Sequence, residues 1–237
     1  MKKYFLYILI LATSISCAKK EINIPVLAVK GVQEVHNHSI VWIFFSKENN
    51  KPIAQINRKN TISSTHWIYN IDKKLPLHTF IEDLKILKEK HANSIHSIEG
   101  MHDYFSYSDS TSSKLSFFEF DDVKFETDSL LSKHYIKKNS ELYKNFNNIN
   151  VTFNLNNIWI NDGKFEKENF KILLQEFIEF SSEGKQTMLH LNFNNNLQYK
   201  NYLYYKTLIN SICNETISTN TIEFVFNQEK VPDCGCE

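Results

Sequence analysis

The chain has 237 residues, with 27 Lys+Arg set against 27 Asp+Glu and 14% aromatic side chains. The balanced charge gives no basic excess that would point to nucleic acid, and 42% hydrophobic residues supply enough apolar surface for one large or two small buried cores.

The chain opens with MKKYFLYILILATSISC: two lysines, an apolar run from Tyr4 to Ile15, small residues, then Cys17. The run is shorter than the ~20 residues that a membrane-spanning helix needs, so it reads as a secretory signal. A Cys directly behind Ser14-Ile15-Ser16 resembles a lipoprotein signal, with Ser14 standing where Leu is usual. That resemblance implies that residues 1–17 comprise a signal peptide and a lipidated Cys17. The mature chain would be held on a membrane by acyl chains such as palmitate, each buried CH₂ contributing ~0.8 kcal/mol. Ala18 offers no retention signal, which directs the expectation to the outer membrane, on either its periplasmic or its outer face. The alternative is an ordinary signal cut nearby. Residues 18–38 read as a tether.

Residues 39–123 read as a strand-rich α+β half. SIVWIFF (39–45) is a strand buried on both faces, and Asn49-Asn50-Lys51-Pro52 turns the chain into a hairpin with Ile53 to Ile56. Thr65 to Ile71 is another strand. Pro76 leads into a helix carrying Phe80, Ile81, Leu84 and Leu87 at helical spacing. The stretch from Ser94 to Asp109 reads as a polar loop, and Lys114 to Phe120 as a closing strand. Residues 124–150, rich in charge and Asn, read as a linker with a short helix around Ser129 to Tyr135.

In residues 151–230 the apolar period switches between strand and helix. Ile158-Trp159-Ile160 is a short strand, and Asn161-Asp162-Gly163 is a turn that Gly163 closes at positive φ. Phe170, Leu173, Leu174, Phe177 and Ile178 fall on one helical face, which Gly184 ends. Met188 to Phe193 alternates as a half-buried strand. Tyr199, Tyr202, Leu203, Tyr205, Leu208, Ile209 and Ile212 mark a second helix, and Ile222 to Phe226 a last strand.

This β-α-β-α-β unit resembles the periplasmic domain of the ExbD/TolR family, small subunits of proton-driven biopolymer-transport motors. Asn194 stands at the family's Asp position and Tyr199 at its Tyr position, five residues on. The segment IDKKLPLHTFI looks like the same strand-to-helix junction, with Asp72 opposite Asn194 and Leu77 opposite Tyr199, which points to an internal duplication. The resemblance implies an α+β fold, dimerisation, and in some members engagement of peptidoglycan. The family's membrane helix with its proton-path Asp has no counterpart, because Tyr4 to Ile15 holds no acid.

No spacing singles out catalytic groups. Asp121-Asp122, Glu166 and Glu168 read as solvated acids, and neither a G-x-S-x-G nor a phosphate-cradling loop occurs. His36 and His38 share a face of an extended segment, while His91, His96 and His102 cluster with Glu99 and Asp103. Without tight Cys/His spacing or HExxH they read as solvated loop histidines, with no metal or cofactor assigned. Cys213, Cys234 and Cys236 leave two readings for the tail at residues 231–237: a disulfide from Cys213 to one tail cysteine, or a redox or metal-binding CxC. Tyr204 falls off the apolar face of its helix and is a candidate partner contact.

The expectation is a membrane-anchored envelope lipoprotein acting as a non-catalytic interaction module. Its expected partners are a second copy, peptidoglycan or an envelope protein. The alternatives are an exported enzyme with an unrecognised site and a metal- or ligand-binding lipoprotein.

Overall fold

A computed structural model describes residues 20–231 except 96, 97, 99 and 129. It is a mixed α/β structure with two six-stranded mixed sheets, consistent with α+β. Among the described residues no helix is long and apolar enough to cross a membrane.

The first sheet holds β1 (Val26–Leu27), β2 (His38–Glu48), β3 (Lys51–Asn57), β4 (His66–Ile71), β5 (Asp103–Asp109) and β6 (Lys114–Glu119). β2 pairs antiparallel with β3 and parallel with β4, and β4 pairs parallel with β5. The β4-to-β5 crossover is α1 (Ile81–Ala92), entered through a 3₁₀ turn at Leu77–Thr79 directly after Pro76. Ile81, Leu84 and Leu87 bury one face of α1, while Glu82, Asp83 and Ile86 remain in water.

The second sheet holds β7 (Lys124–Glu126), β8 (Asn147–Phe153), β9 (Ile158–Ile160), β10 (Gly163–Phe165), β11 (Thr187–Asn194) and β12 (Ile217–Phe226). Its helices are α2 (Ser132–Lys138), α3 (Ser140–Tyr143), α4 (Phe170–Ser181) and α5 (Tyr199–Asn210). β8 pairs antiparallel with β9 and parallel with β11, and β11 pairs parallel with β12. The run β9-β8-β11-β12 thus has the order and directions of β3-β2-β4-β5, with α5 in the place of α1. The one added crossover element is α4.

The two sheets share one apolar core. Tyr202 of α5 lies 4.8 Å, centroid to centroid, from Phe193 of its own sheet and 6.1 Å from Phe105 of the other. Seven of the 12 residues of α5 are buried, against five of 12 in α1, because α5 is flanked on more than one side. The carboxylate of Glu223, fully buried on β12, accepts from Tyr202 Oη at 2.8 Å and from Lys206 Nζ.

Several expectations are corrected. The stretch from Ser94 to Asp109 is not a loop throughout, since β5 lies in it as an inner strand with Tyr104, Phe105 and Tyr107 buried. Its polar residues concealed it: Ser106 donates to Asn70 Oδ1, and Asp109 accepts from Thr111 N–H at 2.8 Å. Residues 124–150 are not a linker but contribute β7, α2, α3 and the start of β8. The stretch read as a tether is held to the first sheet where it is described, because Leu27 pairs with Asp109 and Val32 bridges to Phe117. The turn after β9 places Asn161, not Gly163, at positive φ (51°); the short side chain of Asn tolerates that region. Gly184 does lie at φ 79°, past the end of α4.

Candidate functional site: an amide-lined groove on the second sheet

Alternation along β8 sends Ile149, Val151 and Phe153 into the core and Asn148, Asn150 and Thr152 to the opposite face. On β11 the same alternation places His190 and Asn192 beside them. α2 and α3 cover part of this face through Tyr135, packed on Phe224, and Tyr143, packed edge-on to His190. What they leave open is a groove of ≈ 480 Å³, floored by Asn148, Asn150, Thr152 and Asn192. Trp159, Asn161 and Asp162 border it on one side, and Lys133, Phe226 and Gln228 on the other. That volume is in the range of small-molecule sites.

The floor is a connected amide network. Ser132 N–H donates to Asn192 Oδ1 at 2.7 Å, and Asn192 Nδ2 returns a bond to Ser132 Oγ at 2.8 Å. Ser132 Oγ donates onward to Asn150 Oδ1 at 2.7 Å, and Asn150 N–H donates to Asn161 Oδ1 at 2.8 Å. His190 anchors one end: its Nε2 donates to Asn148 Oδ1 at 2.9 Å, while its Nδ1 accepts from Asn220 Nδ2 at 3.0 Å. Burial lowers its pKa to about 4. The same geometry keeps the ring neutral, since an amide donor occupies the nitrogen that a second proton would need. This floor presents amide donors and acceptors beside an indole and no activated nucleophile, because Ser132 Oγ is held between two amides. The chemistry such a surface offers a ligand is hydrogen bonding and ring stacking.

A second polar cluster lies where β4, β5 and β6 meet the end of α1. Buried His91 faces Asp103 Oδ1 at 2.9 Å and the Thr65 carbonyl at 3.0 Å, with Trp67 stacked on it at 4.3 Å. Lys88 donates to the carbonyls of Phe120 (2.6 Å) and Asp121 (3.0 Å), and its pKa is lowered by burial, partly opposed by Asp103. His102 hydrogen-bonds Asp121, which raises its pKa. Asp121 therefore is not the merely solvated acid expected, and His91 and Asp103 lie inside the fold. His96 and Glu99 lie outside the described residues. His36 is exposed and lies 3.8 Å from Glu34. The link from His102 to Asp121 joins residues 19 apart, so local spacing carried no trace of it.

The positions carried over from the resemblance have structural roles. Asp72 Oδ1 accepts from Lys74 N–H at 3.0 Å, and Asn194 Oδ1 from Asn196 N–H at 2.9 Å, so both close Asx turns before a helix. The turns then bond each other. Leu77 N–H donates to the Leu197 carbonyl at 3.0 Å, and Tyr199 N–H to the Leu75 carbonyl at 2.8 Å. His78 N–H donates to the Asn195 carbonyl at 2.8 Å, and Lys200 N–H to the Lys73 carbonyl at 3.2 Å. With Asp72 aligned on Asn194 and Leu77 on Tyr199, each bond maps onto its partner, so the junction has local two-fold symmetry about Pro76 and Gln198. Tyr199 is fully buried in this seam, edge-on to Phe80 (5.8 Å) and Phe105 (5.7 Å), with no partner for its hydroxyl among the described residues.

Cys213, half-buried and without a disulfide partner among the described residues, donates its thiol to the Ile209 carbonyl at 3.4 Å, and burial raises its pKa. Cys17, Cys234 and Cys236 lie outside the described residues. Tyr202 and Tyr205 are buried and Tyr204 is exposed. No family model matches the chain, and comparison with curated proteins and with solved structures finds no match either.

Proposed function

We propose that the chain is a lipid-anchored cell-envelope protein that works as a non-catalytic binding module, its body a fused pair of ExbD/TolR-like halves and its ligand peptidoglycan. The observation that carries the binding reading is the groove. Its uncharged amide floor beside Trp159 suits a ligand that offers hydroxyl, acetamido and peptide groups together. Three features support the paired-halves reading: the common strand order, the matching Asx turns at Asp72 and Asn194, and the reciprocal bonds between them. On that reading the pair supplies within one chain what relatives obtain by dimerising, and fold likeness by itself says little about activity. The anchor rests on the residues around Cys17 and places the module at the outer membrane.

Co-sedimentation with purified sacculi tests the binding. Wild-type protein is expected to pellet with sacculi, and Trp159→Ala combined with Thr152→Arg is expected to weaken retention about tenfold or more, with thermal unfolding unchanged. A wild-type chain that stays in the supernatant and crosslinks to no envelope protein sinks the reading. For the anchor, Cys17→Ala is expected to abolish acyl labelling and release the chain from the membrane fraction.

A further inference from the structure

We propose that His102, Glu119 and Asp121 bind a divalent first-row transition-metal ion, in a site independent of the groove. The antiparallel pairing of β5 and β6 builds it: Tyr104 is opposite Glu119, so His102 just before β5 meets the chain as it leaves β6. One ligand atom from each residue lies within 4.8 Å of the other two. His102 Nδ1 is 3.4 Å from Glu119 Oε1. A tetrahedral ion with bonds of about 2.0–2.1 Å spaces its ligands by roughly 3.3–3.4 Å, so this pair already has the required separation. Asp121 Oδ2 is in direct hydrogen-bond contact with His102 Nδ1 and completes the set by swinging about an ångström aside.

Two further features pre-orient these groups. Asp121 Oδ1 accepts the Asp103 N–H, so backbone aims this carboxylate independently of its contact with His102. The His66 ring stacks on His102 with centroids 5.5 Å apart and planes 8° apart, and its Nδ1 accepts the backbone N–H of His102 at 2.9 Å. Outer-shell bonds of this kind fix a ligand's orientation. The sheet register also sets His38 beside His66, which brings a third imidazole to the same end of the sheet. The nearby cation, Lys88, is spent on two carbonyls and Asp103, so among the described residues Glu119 pairs with the imidazole of His102.

The side chains of His102, Glu119 and Asp121 are 37%, 49% and 28% exposed, so an ion can enter and water can fill the remaining positions. One imidazole with two carboxylates suits zinc or manganese better than copper(I), which prefers sulfur.

Calorimetric titration of zinc into the EDTA-treated, untagged chain tests the site. Cys234→Ser and Cys236→Ser are included to silence the tail. The expected result is one equivalent bound, weakened about tenfold or more by His102→Ala and by Glu119→Gln and unchanged by His36→Ala. Thermal melts of the Glu119→Gln chain check that it folds, as expected for a conservative change at a half-exposed side chain. Absence of a binding isotherm overturns the proposal, and so does zinc binding that survives both substitutions. Neither outcome depends on sacculus binding.

Discussion

The two sheets share an order of strands and differ in what they put on the face turned away from the common core. In the first sheet the middle of that face carries an apolar patch: Ile40, Ile68 and Phe117 line it beside Asn70, covered in part by Val35 from the N-terminal segment. In the second it is a lattice of Asn and His, with α2 and α3 laid over one part and a groove over the rest. The same framework therefore carries an apolar seat for the chain's own segment in one half and a hydrogen-bonding surface in the other. A β framework fixes which residues share a face, and side-chain chemistry then decides what that face does.

The sharpest break in the likeness of the halves lies in the core of the second. Glu223→Leu leaves Lys206 buried without its carboxylate and is expected to cost about 3–5 kcal/mol in denaturant unfolding. The double change Lys206→Met with Glu223→Leu is expected to recover most of that loss. Equal destabilisation by the single and double variants would show that an unpaired Lys206 is not the source of the loss.

His190 gives the next largest effect. Its folded pKa of about 4 lies below the ordinary value of 6.5. Above pH 6.5 the ring is neutral in both folded and unfolded chains and has no pH-dependent effect. Between those values the unfolded chain binds the proton and the folded chain does not, so stability falls as pH drops. The loss approaches about 3 kcal/mol near pH 4 and levels off below it. Chemical denaturation of wild type and His190→Gln across this range checks it, the variant losing that part of the acid dependence.

A smaller contrast concerns two neighbouring tyrosines in α5. Tyr202→Phe removes a bond to a buried carboxylate and is expected to cost about 1.5–3 kcal/mol. Tyr199→Phe removes a hydroxyl that has no partner and is expected to be neutral within about 0.5 kcal/mol. At the seam, Asp72→Asn copies the Asx turn of the second half and is expected to cost less than about 1 kcal/mol, whereas Asp72→Ala frees backbone N–H groups and is expected to cost more. Thermal melts of the four variants rank them.

Several elements were legible before the fold because apolar spacing is a local signal. The helix faces at Ile81-Leu84 and Leu174-Ile178, the hairpin of β2 and β3, and the strand from Met188 to Phe193 all follow from it. β5 and β8 escaped because their exposed-looking polar residues are satisfied by partners far away in sequence. Ser106 meets Asn70, 36 residues back, and Asn148 meets His190, 42 residues on. The groove was equally hidden, since an Asn-rich stretch reads as loop until a sheet places its amides side by side.

The sequence by itself determined the periods of the elements, the strand-to-helix junctions at Asp72 and Asn194, and the helix stop at Gly184, because each depends on residues within one or two turns. Only the tertiary structure decided that those two turns hydrogen-bond each other, that Asp121 meets His102, and that Glu223 lies buried against Lys206. Each is a meeting of groups from separate segments, set by strand register and a shared core rather than by local preference.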